Sequence, residues 1–167
     1  MFPTDNLKKT VFLSLMIVFS IVLNFLENLI PLGSMIPGVK IGISNIVILA
    51  IIYIYSPKEG IMCAFLKSVL ITFLGGNLSS FVYSVSGGLI SAIGMGAFKK
   101  VKGLSPVGVS MTGSFLHIST QIGVAYLTLN SYTVFYYYPY LLLFGIISGF
   151  VNGYLVKLLL EKLERRV

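Results

Sequence analysis

The chain has 167 residues, of which 56% are hydrophobic and 10% are charged. A soluble domain carries about 25% charged residues, so this composition cannot cover a water-facing surface. It predicts an integral membrane protein with one domain, residues 1–167. The net charge of +7 does not indicate nucleic-acid binding, because the basic residues lie between hydrophobic runs, as they do in membrane loops. The single Cys63 excludes a disulfide framework and a cysteine metal cluster.

Six hydrophobic segments follow one another along the chain, and each predicts a transmembrane helix. Their approximate bounds are 10–30, 40–55, 58–75, 79–98, 104–129 and 138–161. Pro31 and Pro37 end the first helix, and Pro57 begins the third. The predicted fold class is therefore all-α, a polytopic bundle of six transmembrane helices. Helices 2 and 3 are short, and a re-entrant hairpin is the alternative there.

The N-terminus combines charged residues with the apolar run VFLSLMIVFSIVL, as a signal peptide does. The run is long and no small-residue cleavage site follows it. We therefore expect a retained first helix, with a cleaved signal as the alternative.

The basic residues predict the orientation of the bundle. With six helices both termini lie on one side, and ten of the twelve basic residues fall there. The positive-inside rule makes that side the cytoplasm, so we expect a multi-pass membrane protein with both termini cytoplasmic. Among the remaining two, Lys40 is predicted in an outer loop and Lys67 inside a helix.

The strongly polar residues concentrate in the predicted outer half and middle of the bundle. Asn24, Glu27 and Asn28 share one face of helix 1, and Asn45 is predicted in the outer third of helix 2. Polar groups inside a membrane are costly and mark candidate sites, so we expect a pocket that opens outward. The candidate ligand-binding residues are Asn24, Glu27, Asn28, Lys40, Asn45, Lys67, Asn77, His117 and Gln121.

The charges among these residues favour an anionic or mixed-charge ligand, because Lys40, Lys67 and a protonatable His117 face one Glu27. Structural roles are the alternatives. Glu27 and Lys40 could form an interfacial ion pair, and Lys67 could reach an interface along its stem or neutralise Glu27. A lone histidine is more often a packing residue than a metal ligand, and Asn45 most often bonds a neighbouring backbone.

Two further patterns have two interpretations each. The aromatic residues of NSYTVFYYYP, between helices 5 and 6, form either an interfacial belt or a lid over the pocket. The small residues of helix 6 (Gly145, Gly149 and Gly153) and of helix 4 predict close helix packing, either within this chain or with another.

Several kinds of chemistry are missing from the sequence. There is no GxxxxGK[ST] motif for ATP, and Asp5 is the only aspartate, which excludes an aspartate-rich magnesium–diphosphate site. No serine–histidine–acid set is complete. We therefore expect no enzymatic activity, no cofactor and no metal. A membrane enzyme would require the fold to bring a carboxylate next to His117.

The run LENLIPLGSMIPGVKIGISNIVIL joins an acidic residue that closes helix 1, a proline loop and the pattern PGVKxGxxN. It resembles a bacterial family called Gx transporter, also known as heptaprenyl diphosphate synthase component I. Similar stretches are FLKSV around Lys67 (where arginine is usual), SVSGGLIS, KKVKG, GVSMTGSFLHISTQ and YYYPYLLLFGIISGFVNG. The resemblance covers about residues 10–160.

The resemblance implies a function. The family is similar to the substrate-binding S components of energy-coupling factor transporters, which have six helices and an outward pocket. A subunit of this kind sits in the bacterial plasma membrane, captures a small molecule and passes it to separate membrane and ATPase subunits. S components often dock through an alanine-rich face of helix 1, whereas helix 1 here offers only Ser14 and Ser20.

The family also implies an alternative, which is a non-catalytic membrane partner of isoprenoid or quinone synthesis or of flavin-based extracellular electron transfer. Isoprenoid-, quinone- and flavin-related molecules are therefore candidate ligands.

Overall fold

The computed structural model describes residues 5–29, 42–74 and 78–165. These residues form six α-helices, one 3₁₀ helix and no strand, which confirms the all-α fold class for this part of the chain. The helices are α1 (Asn6–Leu29), α2 (Asn45–Ile54), α3 (Pro57–Phe73), α4 (Leu78–Phe98), α5 (Pro106–Leu129) and α6 (Tyr138–Glu164). The 3₁₀ helix, Tyr132–Tyr136, lies in the aromatic segment between α5 and α6, where only a loop was predicted.

Serine–proline pairs begin two of the helices. Pro57 and Pro106 occupy the first turn of α3 and α5, where a missing backbone N–H is not needed. The preceding serines cap these turns: Ser56 Oγ accepts a hydrogen bond from Lys58 N, and Ser105 Oγ accepts one from Gly108 N. The predicted start of helix 3 at the Ser56-Pro57 pair is thereby confirmed.

The second helix is much shorter than predicted. The sequence predicted a helix over 40–55, but α2 has 10 residues and begins at Asn45. At 1.5 Å per residue it is about 15 Å long, half the thickness of a hydrocarbon core of about 30 Å. Asn45 is the first residue of α2, at the end of helix 2 that the sequence placed outside, and its depth in a membrane stays a prediction. The segment before α2 is bonded to Ser20 and Asn152, which lie near the middle of α1 and α6.

The half-length α2 forms the centre of the bundle. It contacts α1, α3, α4 and α6, while α5 packs between α4 and α6. This environment explains why α2 is apolar on every side: Ile48, Leu49, Ile51 and Ile52 are at most 2% exposed. They form one core with apolar residues of the surrounding helices, among them Cys63 and Val109.

The glycine face of α6 packs on α5 of the same chain, which answers the question that the sequence left open. A Cβ atom on Gly149 would lie 2.9 Å from Met111 Cα, and one on Gly153 would lie 2.5 Å from Val107 Cα. Only glycine permits the two backbones to approach this closely. On α4, Gly88 faces Ser68 of α3 and Gly94 faces Leu116 of α5. The glycines of α4 therefore permit close packing against two neighbouring helices.

Three helices within the described residues are long and apolar enough to cross a membrane by length and composition. They are Asn6–Glu27, Phe81–Phe98 and Tyr138–Glu164. Large apolar side chains are exposed on the outside of α1 and α6, for example Leu15, Phe19, Phe144 and Ile147. An exposed surface of this kind suits contact with lipid chains rather than water. The count of six spans and the cytoplasmic orientation stay predictions.

One end of the bundle, here called the basic end, contains Lys9 and Lys99, two of the lysines that the sequence placed on a common side. The ammonium of Lys9 pairs with the Glu59 carboxylate and lies 5.2 Å from the centre of the Tyr55 ring. The ammonium of Lys99 donates to the Ile52 carbonyl oxygen at 2.7 Å and lies over the Tyr53 ring. Partial burial lowers the pKa of Lys99. These contacts bring together the start of α1 and α3 and the end of α2 and α4, as the predicted alternation requires.

The Lys99 contact predicts a measurable contribution to stability. Lys99→Met removes both the hydrogen bond to the last turn of α2 and a positive charge at the negative end of that helix dipole. We expect it to lower the free energy of unfolding in detergent by about 1 kcal/mol. The exposed Lys102 offers the matched control, and Lys102→Met should leave stability unchanged. Equal stability of the two variants would show that the Lys99 contact contributes nothing.

Candidate functional site

Polar groups of α1 and α6 hold the chain at Gly42, just before α2 begins. The Gly42 N–H donates to Glu27 Oε1 at 2.5 Å, and the Gly42 carbonyl oxygen accepts from Asn152 Nδ2 at 2.8 Å. Gly42 has φ = +73°, a left-handed conformation that glycine adopts without the steric cost of a Cβ. The turn continues with hydrogen bonds from Asn45 N to the Gly42 carbonyl and from Ile46 N to the Ile43 carbonyl.

Lys67 lies at the N-terminus of α2. Its ammonium donates to Asn45 Oδ1 at 2.9 Å and to Ser44 Oγ at 3.2 Å, and the residue is 7% exposed. Ser20 Oγ of α1 donates to the Ser44 carbonyl oxygen at 2.9 Å. Three helices thus meet at Ser44. The suggestion that Lys67 reaches an interface along its stem is wrong, because its ammonium is held inside the bundle.

This arrangement concentrates positive charge. The N-terminus of a helix carries a partial positive charge, so a lysine ammonium placed against the first residue of α2 is repelled by the helix dipole. The Asn45 and Ile46 N–H groups already donate to the Gly42 and Ile43 carbonyl oxygens. An anion would therefore be attracted by the positive charge of this region and not by these two N–H groups. A negative group, either Glu27 or a bound anion, therefore stabilises the site.

Asn24 and Glu27 lie one turn apart on α1, as predicted, and both face the interior. Asn24 is 8% exposed and Glu27 is 5% exposed. Asn24 Oδ1 and Glu27 Oε2 are buried and have no hydrogen-bond partner among the described residues. A buried acceptor left without a donor costs about 1–3 kcal/mol, and more if it is charged. These two oxygens are therefore suited to receive a group that the chain does not supply.

His117 and Gln121 share a face of α5, as predicted, and that face packs against α4. A Cβ atom on Gly87 would lie 3.0 Å from His117 Nδ1 and 3.2 Å from Gln121 Cγ. Both residues are partly buried. They lie between α4 and α5, whereas Lys67 and Glu27 belong to α3 and α1. Within the described residues, no group of three or more histidine, cysteine, aspartate or glutamate side chains could hold a metal ion.

Asn152 was missed as a site residue because the sequence placed it in the inner half of helix 6, away from the pocket. Its partner Gly42 is 110 residues away. The available signal was its position beside Gly149 and Gly153, on the face that packs inward. Ser148 lies on the same side, since its Oγ would be 3.5 Å from a Cβ on Gly42.

Three predicted residues cannot be placed. Lys40, Asn77 and the side chain of Asn28 lie outside the described part of the structure, and so do residues 31–39, the predicted rim of the pocket. Their roles in binding stay predictions, as does the Glu27–Lys40 ion pair.

The aromatic segment between α5 and α6 is anchored at its ends and exposed along its length. Tyr126 of α5 packs against Tyr132 and Phe135, with ring centres 5.0 and 5.7 Å apart. Tyr138 and Ser119 share a hydrogen bond at 2.8 Å. Most of the rings nevertheless face outward, and Tyr136 is 79% exposed. This exposure agrees better with the interfacial belt than with a lid packed over a pocket.

A model of the family described as heptaprenyl diphosphate synthase component I matches residues 16–159. The chain belongs to this family. The match to component I spans α2 to α5 completely and includes Gly42, Lys67 and Asn152. It confirms the resemblance seen in PGVKIGISN. Comparison with curated proteins and with solved structures gave no match.

Proposed function

We propose that this component I chain is a membrane-embedded binding subunit for a small anionic or mixed-charge molecule. The molecule would bind beside the non-helical residues that precede α2. The observation that carries the proposal is the buried Lys67 ammonium at the start of the half-length helix. Glu27 and Asn45 are bonded in the same region, and the buried Asn24 lies one turn from Glu27 on α1. The other predicted binding residues, Asn28, Lys40, Asn77, His117 and Gln121, belong to the proposal as well.

The energetics support a binding role for Lys67. A lysine at the centre of a membrane helix costs about 2.5–3.5 kcal/mol on insertion scales, and such residues usually mark a functional site. A purely structural link between α3 and α2 could be made by an uncharged side chain at lower cost. Interrupted helices whose N-termini point at an anionic group are a known construction for binding sites in membrane transporters.

We further propose that the chain acts as the capture subunit of an energy-coupling-factor-like transporter in the bacterial plasma membrane, without catalysis of its own. The absence of a P-loop motif from the sequence supports this, because the energy for uptake would then come from separate membrane and ATPase subunits. Ser20 is buried against Ser44, whereas Ser14 is exposed, so any docking face on α1 would be formed by Ser14 and the exposed apolar side chains.

Native mass spectrometry of the detergent-purified chain tests ligand capture. We expect a bound small molecule with a mass of a few hundred daltons, at about one per chain. Lys67→Gln keeps a hydrogen-bond donor but removes the charge, and it should abolish this signal. The exposed Lys102 provides the control, because Lys102→Gln removes the same charge outside the site. Equal ligand occupancy in both variants would refute the assignment of Lys67.

The family description supports a second candidate function, namely a membrane component of a heptaprenyl diphosphate synthase system. In this role the chain would hold a catalytic partner at the membrane and place it near an isoprenoid or quinone precursor. Crosslinking in native membranes followed by purification would test it. Recovery of a prenyl diphosphate synthase with a ligand-free chain would favour this function over ligand capture, and recovery of an ATPase module would favour the transporter.

A further inference from the structure

The second oxygen of Glu27 and the amide oxygen of Asn24 point to a cation site. Both belong to side chains that are more than nine-tenths buried, and neither has a hydrogen-bond partner among the described residues. They lie one turn apart on α1, on the face that meets Gly42. Because the other carboxylate oxygen already accepts the Gly42 N–H, the carboxylate is fixed in orientation with its second oxygen still available.

We propose that Asn24 and Glu27 bind a monovalent metal cation, with Na⁺ as the fitting ion. Carboxylate and amide oxygens are hard ligands, which suit alkali and alkaline-earth ions rather than zinc or copper. One carboxylate supplies a single negative charge, and no larger acidic cluster exists within the described residues. A monovalent ion therefore matches the charge of the site better than Ca²⁺ or Mg²⁺.

The fold around this pair agrees with ion binding. The Ile43 carbonyl oxygen, next to Gly42, accepts one backbone hydrogen bond, from Ile46 N, and a carbonyl oxygen has two lone pairs. Unwound segments at mid-membrane depth coordinate Na⁺ in this manner in other transporter folds. The cation site itself does not depend on the proposed ligand.

The experiment compares thermal unfolding of the purified full chain in sodium, potassium and choline chloride at equal ionic strength. We expect sodium to raise the midpoint by about 2–4 °C relative to choline, since an ion that binds only the folded state stabilises it. Equilibrium binding of radioactive sodium should show about one ion per chain. Stabilisation by potassium equal to that by sodium would overturn the choice of Na⁺.

Variants locate the site. Glu27→Gln should abolish the difference between sodium and choline, and Asn24→Leu should shift the response to higher sodium concentration. Glu59→Gln is the matched control, because that carboxylate is already bonded to Lys9 and Ser56 at the basic end, and it should respond like the unmodified chain. If Glu27→Gln does not fold, the sodium dependence of the unfolding midpoint of Asn24→Leu tests the proposal by itself. A midpoint independent of the cation, or a sodium response retained in both variants, would overturn the proposal.

Discussion

Gly153→Ala is expected to lower the free energy of unfolding by about 2–3 kcal/mol. The added Cβ would lie 2.5 Å from Val107 Cα and 2.9 Å from the Pro106 carbonyl oxygen. Both atoms belong to the backbone of α5, so a side-chain rotation cannot relieve the overlap and the two helices must move apart. Unfolding of the detergent-solubilised chain by SDS titration would measure the loss.

Gly123→Ala provides the matched control on α5. Apart from the adjacent backbone of α5, no atom of the described residues lies within 4 Å of a Cβ at that position, so the substitution introduces no overlap with a neighbouring helix. Replacement of glycine by alanine inside a helix otherwise favours the helix by up to about 1 kcal/mol. The two variants share this helix-propensity gain, and their difference isolates the α5–α6 packing. If Gly153→Ala were as stable as Gly123→Ala, the close contact between these helices would be wrong.

Hydropathy and helix breakers were sufficient to predict the number of helices and most of their ends. The long apolar runs and the Ser-Pro pairs depend on local chemistry, so α3, α4 and α5 begin within a few residues of their predicted positions. The ends of α1 and α6 extend further than predicted, to Asn6 and Glu164. Charged residues there continue the helix beyond the apolar run, and a search for apolar segments stops too early.

The start of α2 could not be predicted in the same way. Within GVKIGISNIVIL, Gly42 and the Ser44-Asn45 pair are compatible with a turn and a helix start, but glycine, serine and asparagine also occur inside membrane helices, so they do not fix residue 45 as the start. The turn depends on Gly42, whose backbone is held by Glu27 and Asn152 from two other helices. A turn that is stabilised by residues distant in the sequence leaves little signal in its own local sequence. The depth of the turn in the bundle leaves no local signal.

The candidate site, like the fold, has some features that the local sequence predicts and others that depend on how the helices pack. The common face of Asn24 and Glu27 follows from helical periodicity and was predicted correctly. The bond between Lys67 and Asn45 joins α3 to α2, and its existence depends on how the helices pack. Asn152 was overlooked for a related reason: a depth estimated from one helix cannot show which residue of another helix it meets. Periodicity predicts faces, whereas contacts between helices require the packed structure.

The largest effect at the site is expected for the two buried charges, Lys67 and Glu27. Both lie inside the bundle and both are bonded to the segment before α2, Lys67 to Ser44 and Glu27 to Gly42. If the two charges compensate one another, removal of one leaves the other buried without its counter-charge, which costs about 3–5 kcal/mol in proteins. Lys67→Met and Glu27→Gln should therefore each destabilise the chain strongly when no metal cation is present.

The double variant tests whether the two charges compensate one another, as one interpretation of the sequence suggested. If they do, Lys67→Met/Glu27→Gln should be less destabilised than the sum of the single variants by about 2 kcal/mol or more. Unfolding should be measured in choline chloride, so that a bound cation cannot take the place of Lys67. Strictly additive effects would mean that each charge is balanced by a different group. A bound anion at Lys67 and a bound cation at Glu27 would be two such groups.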